Sequence, residues 1–220
     1  MPRLSGPSLL PREGPVRRVV VLLHGVGADG NDLIGLAPLF RRWLPDAAFY
    51  APDAPFPFDR APYGRQWFSL QDLSPAALLR GVERAAPYVH EFLDHLLERH
   101  RLQPEHLGLV GFSQGTMMAL QVAPRRERAI GAVVGYSGAL VAPERLAAEA
   151  RSRPPVLLVH GDADPVVPVD ALHQAVAALQ AAGFPVQWLV RPGLGHSIDE
   201  VGAEAGARFL RDFVRPAAAE

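Results

Sequence analysis

The chain has 220 residues, enough for one domain with a substantial core, and a formal net charge of −1, which gives no electrostatic reason to expect nucleic acid or an anionic membrane surface as a partner. It has no cysteine, which removes disulfides, thiolate metal sites and a cysteine nucleophile, and all 22 basic residues are arginine, which removes Schiff-base chemistry and a Ser–Lys dyad. We expect a single domain over 1–220 with residues 1–15 as an N-terminal extension. That extension lacks the uninterrupted apolar core of a signal peptide. No apolar run approaches the length of a membrane span, the longest being residues 19–23, so a cytoplasmic protein is expected.

In chain order, residues 16–23 turn β-branched and continuously apolar, as in a strand buried on both faces. Residues 24–31 form a glycine-rich loop, after which Asn31 or Asp32 should cap a helix reaching about Leu44. A strand is expected over 47–52, then a long irregular segment over 53–74, a length that usually accompanies function in a compact domain. Residues 75–100 have helical periodicity with a kink expected at Pro87. Residues 107–112 form an apolar run that ends in Gly111-Phe112-Ser113-Gln114-Gly115 and passes at once into a small-residue helix. Strands follow at 129–136, 155–160 and 185–191, separated by a short helix at 145–151 and a longer one at 169–182 that Gly183 stops. A loop over 192–197 leads into a last helix over 198–214. The alternation implies an α/β fold, a mostly parallel twisted sheet with helices on both faces and its ligand site beyond the carboxyl ends of the strands.

A Gly-x-Ser-x-Gly between strand and helix is the sequence form of a cramped corner that pushes the serine hydroxyl out above the sheet. Ser113 is therefore the candidate nucleophile. Of the histidines after it, only His160 and His196 fall in strands or loops, and His196 lies in a tight glycine loop directly after a strand. Asp162 and Asp164 follow the preceding strand and could orient it. The order Ser, Asp, His suits an acyl-transfer triad. His196 would remove the proton of Ser113, Ser113 would attack an acyl carbonyl, and water would then clear the acyl-enzyme. Because the base must be neutral, activity should fall in acid.

Four stretches together resemble the small carboxylesterases and acyl-protein thioesterases of the α/β-hydrolase superfamily, the phospholipase/carboxylesterase group. They are Leu23-His24-Gly25-Val26-Gly27-Ala28-Asp29-Gly30, Gly111 to Gly115, His160 to Pro168, and Gly195-His196-Ser197-Ile198, within a resemblance spanning about residues 17–214. The resemblance implies an α/β-hydrolase fold without a separate cap domain, and Asp164 rather than Asp162 as the triad acid. It places the oxyanion hole at the backbone N–H groups of Val26 and Gln114, whose side chains should matter less than their backbone geometry. Val26 stands where the family often has leucine. The resemblance also implies a small-molecule ester as substrate, no metal or cofactor, and a homodimer.

His24 fits a hydrogen bond that shapes the oxyanion loop better than catalysis, and Asp162 fits a loop-holding role through backbone N–H groups. His90 and His95 are five apart, too far around a helix to share a metal, and with His100 and His106 read as solvated helix residues. Gly25, Gly27 and Gly30 have dinucleotide-loop spacing, but that leaves the downstream Ser, Asp and His unexplained. Trp67, Phe68, Leu70 and Leu73, in the long loop, could either cover the sheet edge or line an acyl pocket. The expectation is a serine carboxylesterase acting on short to medium acyl chains. The alternatives are an acyl-protein thioesterase or lysophospholipase-type hydrolase, and a non-catalytic binding module on the same fold.

Overall fold

The computed structural model describes residues 3–218. Its strands are β1 (Ser8–Leu9), β2 (Arg18–Leu23), β3 (Ala47–Tyr50), β4 (Phe56–Pro57), β5 (Arg65–Gln66), β6 (Leu107–Phe112), β7 (Ala132–Tyr136), β8 (Val156–Gly161) and β9 (Val186–Arg191). Its α-helices are α1 (Gly30–Leu33), α2 (Ala37–Phe40), α3 (Pro75–His100), α4 (Gln114–Val122), α5 (Leu146–Glu149), α6 (Asp170–Ala181) and α7 (Glu200–Phe213). Seven strands form one sheet in the order β1-β3-β2-β6-β7-β8-β9. All neighbours run parallel except β1, which pairs antiparallel with β3. No helix among the described residues is long and apolar enough to cross a membrane.

Alternation along β2 splits its side chains between two cores, because successive residues of a strand point to opposite faces. Val19, Val21 and Leu23 join α3, α4 and α6 on one face, through residues such as Val89, Met118 and Leu179. Val20 and Leu22 join α2 and α7 on the other, with Phe40, Ala207 and Leu210. All five β2 side chains are fully buried, and each fully buried aliphatic side chain stabilises by about 1.5–3 kcal/mol. A strand covered on both faces has no polar alternation, which is why residues 19–23 read as one apolar run.

Several boundaries differ from expectation. The N-terminal residues are not a bare extension: Ser8 and Leu9 pair with Tyr50 and Phe49, closing the β3 edge. The first helix is capped by Asp29, whose carboxylate accepts from Asn31 N, and it breaks into α1, a 3₁₀ turn over Ile34–Leu36, and α2. Pro38 has no N–H to give to the Ile34 carbonyl, so a continuous helix would lack a bond there. The 53–74 segment carries the small β4–β5 hairpin. Helix α3 runs through the exposed Pro87 as one element, capped at its start by Ser74.

What positions the site is the approach of α4 to the carboxyl ends of β2 and β6. A Cβ placed on Gly115 would fall on the Leu23 carbonyl, and one on Gly111 would fall on the Gly115 backbone. Gly115→Ala is therefore expected to cost at least the about 1–3 kcal/mol of ordinary overpacking, because backbone rather than a mobile side chain stands in the way. Gly35→Ala, where an added Cβ meets nothing within 4 Å, should be neutral or stabilising. Thermal unfolding of the two variants beside the wild type checks the contrast.

Candidate active site

Ser113 occupies the corner between β6 and α4 at φ 53°, ψ −116°, a backbone conformation that non-glycine residues rarely adopt. The corner is held there: Ser113 N donates to Tyr136 O at 2.9 Å, and the Thr116 hydroxyl lies 2.9 Å from both Gly111 O and Tyr136 O. No side-chain hydrogen bond of Ser113 caps the helix, so the hydroxyl is not spent on it. Gln114 is the first residue of α4, where a backbone N–H has no intrahelical partner.

Two loops at the ends of adjacent strands meet beside this corner. Ala163 N donates to Leu194 O, Asp162 N to Arg191 O, and Gly193 N to the Asp162 carboxylate at 2.6 Å, stitching the loop after β8 to the loop after β9. Asp162 thus holds the loop, as the sequence suggested. Asp164 Oδ1 accepts from Val166 N and Val167 N, and its Oδ2 accepts from His196 Nδ1 at 2.7 Å. Burial alone would raise the Asp164 carboxyl, but the hydrogen bonds from His196, Val167 and Val166 outweigh it and hold the group below 3.8. An ionised Asp164 can only accept, so His196 carries its proton on Nδ1 and leaves Nε2 as the acceptor. The His196 ring packs 4.9 Å, centroid to centroid, from Phe112, the residue next to Ser113. His160 is buried on the other side, donating from Nε2 to Val167 O at 2.8 Å.

The glycine-rich loop after β2 packs on the corner, where a Cβ on Gly25 would lie 3.2 Å from the Phe112 ring and 3.5 Å from Ser113 Cβ. Val26 N makes no backbone hydrogen bond of its own, whereas Gly27 N donates to Arg65 O and Gly30 N to the Asp53 carboxylate. Amides already committed in this way cannot cradle a pyrophosphate, which removes the structural basis for a dinucleotide loop. His24 is fully buried and accepts from Ala54 N at Nε2, so its Nδ1 donates to Gly25 O. It shapes the loop, as expected.

The structure brings Ser113, Asp164, His196 and the backbones of Val26 and Gln114 to the carboxyl edge of the sheet. The aromatic expectations fare differently. Trp67 has no exposed surface and its indole donates to His24 O at 2.9 Å, so it anchors the loop instead of lining a pocket. Phe68 is likewise buried, against Gly81 of α3. Leu70 is half-buried and Leu73 exposed, which leaves both with apolar surface on the same loop. The histidines taken as solvated also have partners: His100 bonds the Tyr50 hydroxyl at 2.7 Å, and His106 bonds Arg215 O. Sequence reasoning missed Phe112 beside His196, the Gln114 side chain, and Ser137, a buried residue at φ 46° whose hydroxyl has no partner. The one sequence signal for Ser137 was its place just after a strand and just before Gly138.

A parallel sheet in this order, with a strained serine corner after β6, an acid loop after β8 and a histidine loop after β9, defines an α/β-hydrolase. The chain belongs to the phospholipase/carboxylesterase family, whose sequence model matches residues 5–214. The solved structure of esterase PE8 superposes with a TM-score of 0.92 at 42% identity, covering 96% of this chain and 99% of that one. A probable carboxylesterase of Oryza sativa subsp. japonica is 33% identical over 198 residues, covering 84% of this chain and 73% of the relative. Acyl-protein thioesterase 1 of Gibberella zeae is 27% identical over 232 residues, 96% of each chain. The protein is accordingly a hydrolase of the esterase and thioesterase kind.

The buried His24 and the half-buried His90 and His100 imply a pH dependence of stability. Desolvation holds His24, His90 and His100 below 6.5, so each stays neutral in the fold and protonates more readily once unfolded. The native state then binds fewer protons, and the stability these groups contribute is present above 6.5 and lost as pH falls below it. Urea midpoints should drop between about pH 7 and about pH 5, and His24→Gln should flatten that drop.

Proposed function

We propose that the chain is a serine carboxylesterase that cleaves short to medium acyl esters through an acyl-enzyme on Ser113. His196 Nε2 takes the Ser113 proton as the hydroxyl oxygen attacks the acyl carbonyl, and the same nitrogen then protonates the departing alcohol. Water repeats the sequence on the acyl-enzyme and regenerates Ser113. Asp164 keeps His196 in the Nδ1–H tautomer and stabilises its cation. The N–H groups of Val26 and Gln114 receive the oxyanion. The observation that carries this reading is the setting of His196, tied at 2.7 Å to Asp164 on one side and packed on the Phe112 ring beside Ser113 on the other. Leu70 and Leu73 are the apolar wall we assign to the acyl chain, with Trp67 and Phe68 as its fixed backing.

A second reading, hydrolysis of acyl-thioesters, is favoured by the relative named acyl-protein thioesterase 1, which matches over nearly the whole chain. The two share the same residues and differ in leaving group. A small-molecule ester as partner, a cytoplasmic setting and a homodimer belong to the same proposal and rest on the family likeness.

The test is turnover of p-nitrophenyl esters from acetate to laurate beside an acyl-thioester. Ser113→Ala should fall to background while its circular dichroism and Tm stay native. Asp164→Asn should lose about 10⁴-fold in kcat, the scale set by wrong-tautomer variants of such triads. Wild-type activity should decline in acid, because a general base must be neutral to take the Ser113 proton. Undiminished turnover by Ser113→Ala would sink the mechanism, and the ratio of ester to thioester rates chooses between the two substrate classes.

A further inference from the structure

Gln114 offers more than a backbone N–H. Its side chain is buried and bridges to the loop over α3: Oε1 accepts from Trp67 N at 2.8 Å, and Nε2 donates to Phe68 O at 2.7 Å. On its far side the same short segment is tied to the glycine-rich loop three times. Gly27 N donates to Arg65 O, Arg65 N to Ala28 O, and the Trp67 indole to His24 O. The Arg65 guanidinium further donates to Ala54 O and Pro55 O, and Ala54 N donates back to His24.

We propose that the Gln114 side chain is a positioning residue for the oxyanion site, fixing residues 65–68 and, through them, the loop that carries Val26 N–H, relative to its own backbone N–H. The inference rests on the serine-hydrolase reading above. Val26 lies between His24 and Gly27, and each of these is bonded to the 65–68 segment, so the Val26 peptide is held from both sides. The segment in turn is bonded only through Gln114 to the helix that presents the second donor. A single connected path of hydrogen bonds therefore sets the separation of the two N–H groups. An oxyanion between two donors requires both at hydrogen-bond distance from one small atom, so the spacing tolerates little drift.

Packing alone does not explain the residue. Methionine would fill the same volume but leave Trp67 N–H and the Phe68 carbonyl unpaired in a dry site, which is costly enough to make the loop move. Glutamate when ionised keeps an acceptor for Trp67 N–H and presents a second acceptor to the Phe68 carbonyl, where a donor is needed.

The experiment measures kcat, KM and pH profile on a p-nitrophenyl ester, together with inhibition by phenylboronic acid, which adds reversibly to a serine hydroxyl and mimics the tetrahedral oxyanion. Gln114→Met and Gln114→Glu should lower kcat by about 10- to 100-fold with little change in KM, the scale of a misplaced or lost oxyanion donor. Phenylboronic acid affinity should weaken in proportion. The acid limb of the pH profile should not move, because Asp164 and His196 are untouched. Trp67→Phe, which removes the indole bond to His24 O while keeping Gln114, should shift kcat and boronate affinity the same way by a smaller factor.

The proposal is overturned if folded Gln114→Met keeps wild-type kcat and boronate affinity, or loses activity with boronate affinity intact. Should neither Gln114 variant fold, wild-type kcat and affinity in Trp67→Phe overturn it instead. Failure of the underlying mechanism looks different: Ser113→Ala would remain active, or the wild type would not bind the boronate at all.

Discussion

The site depends on how closely one helix can lie against two strand ends. Gly111 and Gly115 leave no side chain between α4 and the Leu23 carbonyl, and this contact forces the chain to turn at a single residue, Ser113. The turn is strained, at a cost of about 1–3 kcal/mol for such a backbone. The strain is held in place by bonds to the carbonyl of β7 and by the Thr116 hydroxyl. Once the corner is made, the Ser113 hydroxyl stands at the sheet edge and a helical N–H without an intrahelical partner sits beside it. Every other feature of the site is built to meet those two atoms.

Two groups of loops do so by different means. The acid and histidine loops follow neighbouring strands, β8 and β9, so the parallel sheet delivers Asp164 and His196 to the same edge before any loop chemistry acts. Their mutual bonds then set the details. The β4–β5 hairpin pairs with no strand of the main sheet, so no ladder aligns it with the glycine-rich loop that follows β2. The two are aligned by polar groups, namely the buried His24, Trp67 and Gln114 and the half-buried Arg65. Where the sheet does not supply the register, hydrogen bonds of fixed direction do so.

The same division governs what could be read from the sequence. The placement of Ser113, Asp164 and His196 was legible because each lies in the corner or loop that follows a strand, so periodicity located the strand and chemistry located the residue. His24 and Asp162 were legible as turn-holding residues for a similar reason. Trp67 was not. An aromatic residue in a loop looks alike whether it is a pocket wall or a buried anchor, and only the partner of its indole, a carbonyl from a loop far away in sequence, decides. The Gln114 side chain was missed because the residue already had a role through its backbone. Asp29 rather than Asn31 or Asp32 as the helix cap, and Ser8–Leu9 as an edge strand, escaped because two-residue pairings and four-residue helices carry no periodic signal.

The placement of β2 has a consequence for how the chain comes into being. Val19 pairs with Leu107, so the strand that carries the glycine loop gains its central neighbour only after half of the protein has been synthesised. Until β6 emerges, β2 has only β3 beside it, with its other edge unpaired and its faces covered only in part, by α2 and α3. Parallel pairings across such a separation close slowly, since the intervening chain must be gathered first. The Ser113 corner thus cannot form until β6 and the start of α4 have emerged. In the interval the exposed Val19–Leu23 segment is the part of the nascent protein most in need of shielding from other chains.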